Sequence, residues 1–250
     1  MNSPTPLERM HTREAIAERI SSSARESYLA DFVLGAVDGT VTTFAIVAGT
    51  AGAGLSVAVA LVLGIANVLA DGLSMAVGNF LGARADRQLV DRFRRMEERH
   101  IELVPEAERE EIRQIFAAKG FEGESLEVAV AVITSDRKRW VDTMLTEEWG
   151  LPLNSREPTK SAAVTFAAFV AAGMIPLAPL LFSNLLTVEQ TYTLSAVATA
   201  ITFLLIGGFR GKVVHRSVPR AALETLFVGG AAAAIAFLVG TGLQSWIGGG

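Results

Sequence analysis

The 250-residue chain has no cysteine, which excludes a disulfide scaffold, thiolate zinc sites and a cysteine nucleophile. It lacks a basic excess: its formal net charge is −4, so it is not a general nucleic-acid binder and no nucleic-acid partner is expected. Residues 1–27 lack an apolar stretch of the secretory kind. They hold instead Glu8, Arg9, Arg13, Glu14, Glu18, Arg19, Arg25 and Glu26, so no cleavable signal is expected. Charge is also scarce over most of the length. Of the 22 Lys and Arg and 26 Asp and Glu, 31 fall between Arg84 and Lys160, and the other 173 residues share 17. What fills the remainder is apolar, since half of all residues are hydrophobic. Long uncharged tracts on both sides of a charged block exclude an ordinary soluble enzyme. They describe an integral membrane protein with a soluble insertion.

Lipid offers no partner to backbone N–H and C=O groups, so long continuous apolar runs must span as helices. Five runs reach the roughly 20 residues a span requires: about 31–53, 56–83, 161–186, 191–209 and 221–245. The third and fourth carry no charge, the fifth has Glu224 near its start, and the first two hold Asp38 and Asp71 well inside. Short loops rich in Lys and Arg mark the cytoplasmic side. Arg210, Lys212, Arg216 and Arg220 lie between spans four and five; Arg84, Arg87, Arg92, Arg94 and Arg95 follow span two; Lys160 precedes span three. The loops after spans one and three and the C-terminal tail have neither residue type. The expectation is an all-α protein of five transmembrane helices, with the N-terminus and the insertion cytoplasmic and the C-terminus outside or lumenal. Its segments are a cytoplasmic stretch 1–30, helices one and two over 31–84, a helical insertion over 85–160, and helices three to five over 161–250. The membrane would be the plasma membrane in a bacterium and a vacuolar type in a eukaryote.

Small residues crowd these spans, as in GTAGAG at 49–54 and GGAAAA at 229–234, and small faces let helices approach closely in lipid. A compact bundle or dimer follows. Pro176 and Pro179 in span three free carbonyls that neighbours, water or an ion must satisfy, or they simply kink the helix.

The insertion reads as helical and polar. DRQLVDRFRRMEERHIEL continues directly from span two, Pro105 starts a second helix stopped by Gly120, and Ser125 caps a third, broken near Ser135-Asp136 and closed by Gly150. Glu97 and His100 are spaced i,i+3, as are Glu108 and Glu111; Met144 and Glu148 are i,i+4. Each pair shares one helix face and can present two ligands to one ion. Carboxylate, imidazole and thioether together suit a borderline divalent metal such as Fe²⁺, Mn²⁺ or Zn²⁺. The same composition also suits a solvated charged face, because the insertion contains 14 Lys and Arg.

A carboxylate at membrane depth costs at least ~2.5–3.5 kcal/mol, so it points to function by default. Asp38 follows Asp31 by seven residues, about 10 Å at 1.5 Å per residue. Asn67, Asp71 and Met75 recur every four residues along span two, Asn79 extends that stripe obliquely, and Asp38 can face it. Oxygen ligands and a thioether inside a bundle make a path for a dehydrating cation. Helix capping or inter-helix hydrogen bonding is the alternative, since both aspartates precede glycine.

In order along the chain, FVLGAVDGTVTTFAIVAG at 32–49, SMAVGNF at 74–80, PEAEREEIRQIFAAKG at 105–120 and GMIPLAPLL at 173–181 resemble the vacuolar iron transporter family. The resemblance covers nearly the whole chain. It implies a homodimeric exchanger that moves Fe²⁺ out of the cytoplasm against protons, with no permanent cofactor. It assigns the translocation path to Asp38 and Met75, and cytoplasmic metal collection to Glu97, His100, Glu108, Glu111, Met144 and Glu148. Asn67 replaces a family glutamate, which puts proton coupling in question unless Asp71, one turn on, takes over. His100 and Leu145 stand where glutamates are expected, and Phe80 stands for a tyrosine. Two other readings compete: a membrane-anchored metal sensor or buffer without flux, and an intramembrane aspartyl protease using Asp38 and Asp71. The second lacks its signatures, since Asp38 follows Val37 and Asp71 follows Ala70.

Overall fold

The computed structural model describes residues 11–22 and 28–248. The described residues form helices and connecting turns, with no strand among them. In chain order the helices are α1 (Arg13–Ser22), α2 (Leu29–Gly52), α3 (Val57–Leu103), α4 (Pro105–Ala118), α5 (Gly123–Thr134), α6 (Arg137–Glu147), α7 (Pro158–Leu181), α8 (Val188–Val213) and α9 (Val218–Gly248). Five of them, α2, α3, α7, α8 and α9, are long and apolar enough to cross a membrane. The chain is an all-α membrane protein of five spans with a helical insertion after the second. Of the expected 1–30 segment, residues 1–10 and 23–27 lie outside the described residues.

The span that leads into the insertion is one helix of 47 residues, about 70 Å long at 1.5 Å per residue. Nothing in VAVALVLGIANVLADGLSMAVGNFLGARADRQLVDRFRRMEERHIEL breaks it, because it has no proline and its glycines stand singly. Pro105 supplies the first residue of α4, where its missing N–H costs nothing. Gly120, at φ 90°, takes the left-handed conformation after α4 that a side chain would resist.

Several boundaries differ from the sequence reading. Ser125 is not the cap of α5 but its third residue; Glu122 is the cap, and its backbone N–H donates to Ser125 Oγ at 3.3 Å in a reciprocal box. The break expected near Ser135-Asp136 is present, because Asp136 accepts the N–H of Arg139 at 2.7 Å and so starts α6 afresh. Span three ends at Leu181 instead of 186, since Thr187 and Gln190 form a reciprocal cap that starts α8. Span four runs on to Val213.

The described chain divides into two compact units, one gathering Ala83–Glu157 with the N-terminal segment, the other Tyr28–Gly82 with Pro158–Gly250. In the second unit α2 lies so close to α7 that a methyl group on Gly35 or Gly39 would collide with the backbone carbonyls of Thr165 and Phe169. Such contact gives in van der Waals packing what lipid withholds as hydrophobic drive. Val47, Ala60, Val68, Leu177 and Leu180 form the apolar centre. Buried threonines return their hydroxyls to the preceding turn, as in Thr40 Oγ1 to Ala36 O at 2.8 Å and Thr199 Oγ1 to Ser195 O at 2.7 Å. The prolines of α7 stay within a continuous helix, and Ser195 Oγ of α8 donates to Pro176 O at 2.6 Å. A neighbouring helix thus serves the proline region, at the carbonyl of Pro176 itself. Large apolar side chains such as Leu69, Leu73, Phe227 and Leu238 stay exposed, as a lipid-facing surface requires.

In the first unit, Ile112, Val130, Trp140 and Met144 form one small core, and Val90, Val141 and Leu145 another. Arg94 pairs with Asp142 at 2.8 Å, and Arg113 binds both Glu110 and Glu127 at 2.6 and 3.0 Å.

Candidate metal centre

The helical spacing that pairs Glu97 with His100 on α3 meets Glu108 of α4 across the Val104-Pro105 corner. One ligand atom from each of these three residues lies within 4.8 Å of the other two. Glu97 and Glu108 are 1% and 2% exposed, and each has one carboxylate oxygen, Oε2, buried without a hydrogen-bond partner. The other oxygens are engaged. Trp149 Nε1 donates to Glu97 Oε1 at 2.9 Å, and His100 Nδ1 lies 3.3 Å from Glu108 Oε1. A buried carboxylate oxygen without a donor costs several kilocalories unless a proton or cation arrives.

Charge makes the need sharper. Burial pushes the Glu108 carboxyl up to about 8, helped by the negative charges of Glu111 and Glu97, by a shared-proton contact with Glu97, and by the charge of Glu148. Burial likewise raises Glu148 to about 7, with Glu97 and Glu111 adding repulsion. Among the described residues no Lys or Arg ion pair reaches any of these four glutamates; Arg94, Arg109, Arg113 and Arg137 pair instead with Asp142, Glu106, Glu110, Glu127 and Glu102. A solvated charged face would show its acids balanced and hydrated. Here all four gather and repel, and Glu97 and Glu108 are buried, which is how a protein poises ligands for a multivalent cation.

Of the six residues assigned to the insertion's site, Glu97, His100 and Glu108 are brought into ligand distance, and Glu111 and Glu148 into electrostatic reach. Met144 is fully buried in the apolar cluster with Ile112, Val130 and Trp140, and so is Leu145 in the neighbouring one. Sequence spacing gave no sign of Trp149, which is 52 residues from Glu97. It is placed by the turn after α6, where Gly150 at φ 63° reverses the chain and the Trp149 ring stacks on Phe93, centroids 4.4 Å apart.

Within the spanning unit, Asp38 and Asp71 lie on different helices yet within electrostatic reach of one another. Asn67 Nδ2 donates to Thr42 Oγ1 at 3.5 Å, and Thr42 in turn donates to Asp38 O at 2.8 Å. Met75 is half-buried one turn beyond Asp71. Asn79 leaves this stripe for a different partner. Its Nδ2 donates to Asp31 Oδ1 at 3.0 Å and Thr165 Oγ1 at 2.6 Å, while Ser161 Oγ donates to Asp31 Oδ2 at 2.6 Å. The Asp31 network joins α2, α3 and α7. It was missed because Asp31 sits at the edge of the first span and reads there as a boundary charge; its seven-residue offset from Asp38, two helical turns along one face, was the available signal.

A family model described as the VIT family matches residues 29–241, which is most of the chain and includes both the spans and the carboxylate cluster. The chain belongs to the VIT family. A vacuolar iron transporter of Toxoplasma gondii is 33% identical over 235 residues, covering 91% of this chain and 78% of the relative. One from Centaurea cyanus is 33% identical over 217 residues, covering 86% and 87%. Vacuolar iron transporter 1 of Arabidopsis thaliana is 31% identical over 215 residues, covering 86% and 85%. VIT membership makes this chain an integral membrane transporter and not an enzyme, which removes the protease reading of Asp38 and Asp71.

Proposed function

We propose that this VIT-family chain moves Fe²⁺ out of the cytoplasm, with Mn²⁺ as a second cargo, in exchange for protons and as a homodimer. The observation that carries the reading is the cluster of Glu97, His100 and Glu108, in which each carboxylate buries one oxygen without a hydrogen-bond partner among the described residues. Cytoplasmic metal is collected there; carboxylates and an imidazole suit Fe²⁺, Mn²⁺ and Zn²⁺ alike, and Glu111, Glu148 and Met144 complete the set. The ion then passes to Asp38 and Met75, where carboxylate and thioether oblige it to shed water. Asp71, within electrostatic reach of Asp38, takes the proton-coupling part that Asn67 cannot perform.

Two further features support the arrangement. The loops rich in Lys and Arg support an N-terminus and an insertion in the cytoplasm and a C-terminus outside. On α3, Ala66, Ala70, Ser74, Gly78 and Gly82 recur every four residues and are all exposed, with open space beside Gly78 and Gly82. A second copy packs on that small face. Asn67, Asp71 and Met75 each follow a residue of this stripe, so the path borders the dimer seam.

The test is uptake of Fe²⁺, Mn²⁺ and Zn²⁺ into proteoliposomes with and without a pH gradient. The wild type is expected to transport Fe²⁺ and Mn²⁺ and to be driven by the gradient. Asp38→Asn is expected to abolish flux while metal binding by the insertion persists, and Asp71→Asn to uncouple it from protons. Undiminished flux in Asp38→Asn would end the translocation argument. Metal binding by the wild type without flux would instead make the chain a sensor or buffer.

A further inference from the structure

The Glu97 carboxylate is divided between two tasks. Its Oε1 accepts the indole N–H of Trp149 at 2.9 Å, whereas Oε2 is buried and has no partner. A carboxylate side chain on a helix swings freely about its last torsion unless something holds one oxygen. Trp149 is itself held: its ring packs on Phe93 at a tilt of 41°, one turn before Glu97 on α3, and its backbone N–H bonds to Met144 O at 3.3 Å. Trp149 is still 39% exposed, so burial alone does not explain why a tryptophan ends the turn. A phenylalanine would stack as well; only the indole donates a hydrogen bond.

We propose that Trp149 is a positioning residue for the metal centre: its N–H fixes the Glu97 carboxylate so that Oε2 is presented, singly, beside His100 and Glu108. The inference rests on the reading of that cluster as a metal centre. Outer partners of this kind orient the ligand and commonly set metal affinity by about 10–100-fold. Trp149 also disfavours binding of an ion through both Glu97 oxygens, because Oε1 already accepts its N–H. The site therefore takes one oxygen from Glu97, leaving room in the coordination sphere for the imidazole and Glu108.

The experiment measures Zn²⁺ binding by calorimetry on the full chain in nanodiscs at pH 7, for the wild type, Trp149→Phe, Phe93→Leu, Glu97→Gln and Glu108→Gln. The indole N–H resonances of the three tryptophans are followed by ¹⁵N–¹H NMR in the same samples, with Trp149→Phe assigning its own signal. Trp149→Phe is expected to weaken Zn²⁺ binding about 10–100-fold with its apo helicity and melting unchanged. Phe93→Leu, which leaves the N–H in place but loosens the ring, is expected to weaken binding clearly less than Trp149→Phe. Zn²⁺ is expected to shift the Trp149 indole resonance and leave that of Trp246 in place. Wild-type affinity in Trp149→Phe, beside clear losses in Glu97→Gln and Glu108→Gln, would overturn the role of Trp149 alone. Equal losses in Trp149→Phe and Phe93→Leu would reduce it to ring packing and overturn it too. Unchanged binding in both glutamate variants would instead remove the metal-centre reading on which it rests.

Discussion

The spanning unit and the insertion each bury carboxylates, and they treat them in opposite ways. Asp31, 2% exposed, has both oxygens served by side-chain donors, Asn79 on one and Ser161 on the other. Glu97 and Glu108 are as deeply buried, yet each keeps one oxygen unpartnered, and Glu111 and Glu148 add negative charge instead of relieving it. Depth is the same in the two places and cost is not. A buried carboxylate whose donors are built in is finished when the chain folds, and it ties helices together. One whose donors are missing is finished only by a proton or a cation, so it reports a binding event. The difference separates an architectural acid from a functional one more sharply than burial does.

The largest effect that can break this contrast is on metal binding. Glu97→Gln and Glu108→Gln together should lower the affinity of the full chain for Zn²⁺ by more than the roughly 10–100-fold that loss of an outer partner costs, whereas Asp31→Asn should leave it unchanged; calorimetry decides. If Asp31→Asn weakened binding comparably, the distinction would fail.

Next comes packing. Gly39→Ala drives a methyl into the Phe169 backbone carbonyl, which cannot swing aside, so α2 and α7 must separate. The expected cost is about 1–3 kcal/mol, seen as a lower melting temperature in detergent with metal affinity unaltered.

A smaller effect, of opposite sign in the two units, concerns the acids themselves. Asp31→Ala removes the bonds from Asn79 and Ser161 that tie α2 to α3 and α7 and should destabilise the protein by about 1–2 kcal/mol. Glu108→Gln should do the reverse in metal-free protein at pH 8.5. Burial and neighbouring charge raise Glu108 to about 8, so the folded form holds a proton that the unfolded chain releases near pH 4.5. Folding is therefore progressively opposed as pH climbs from about 4.5 to 8, with no penalty below that window. Melting curves of wild type and Glu108→Gln should coincide at pH 4 and diverge at pH 8.5, the variant higher. By the same linkage, metal binding should release protons and strengthen from pH 6 to 8, which calorimetry in two buffers checks. The smallest expected change is Ser195→Ala, which removes the bond to Pro176 O and should cost about 0.6 kcal/mol, the average for interhelical hydrogen bonds in a bundle.

Much of this protein can be read directly from its residues. Five apolar runs and a charged block follow from composition alone, because lipid admits no unpaired backbone and so leaves no choice but helices. The pairing of Glu97 with His100, and of Glu108 with Glu111, is equally local, since 3.6 residues per turn places i and i+3 on one face. Helix ends were less legible. Ser125 looked like a cap but serves as the third residue of α5, because Glu122 competes for the same N–H groups and wins by position. What no local rule contains is the meeting of elements far apart in the chain: Trp149 with Glu97, Asn79 and Ser161 with Asp31, and Glu148 with Glu108. Those depend on where the Val104-Pro105 corner and the turn at Gly150 send the chain, and on how closely glycine lets α2 approach α7. Local pattern determined which side chains were available as ligands; only tertiary contact decided which oxygens were already satisfied, because a hydrogen bond is made across space and not along the sequence.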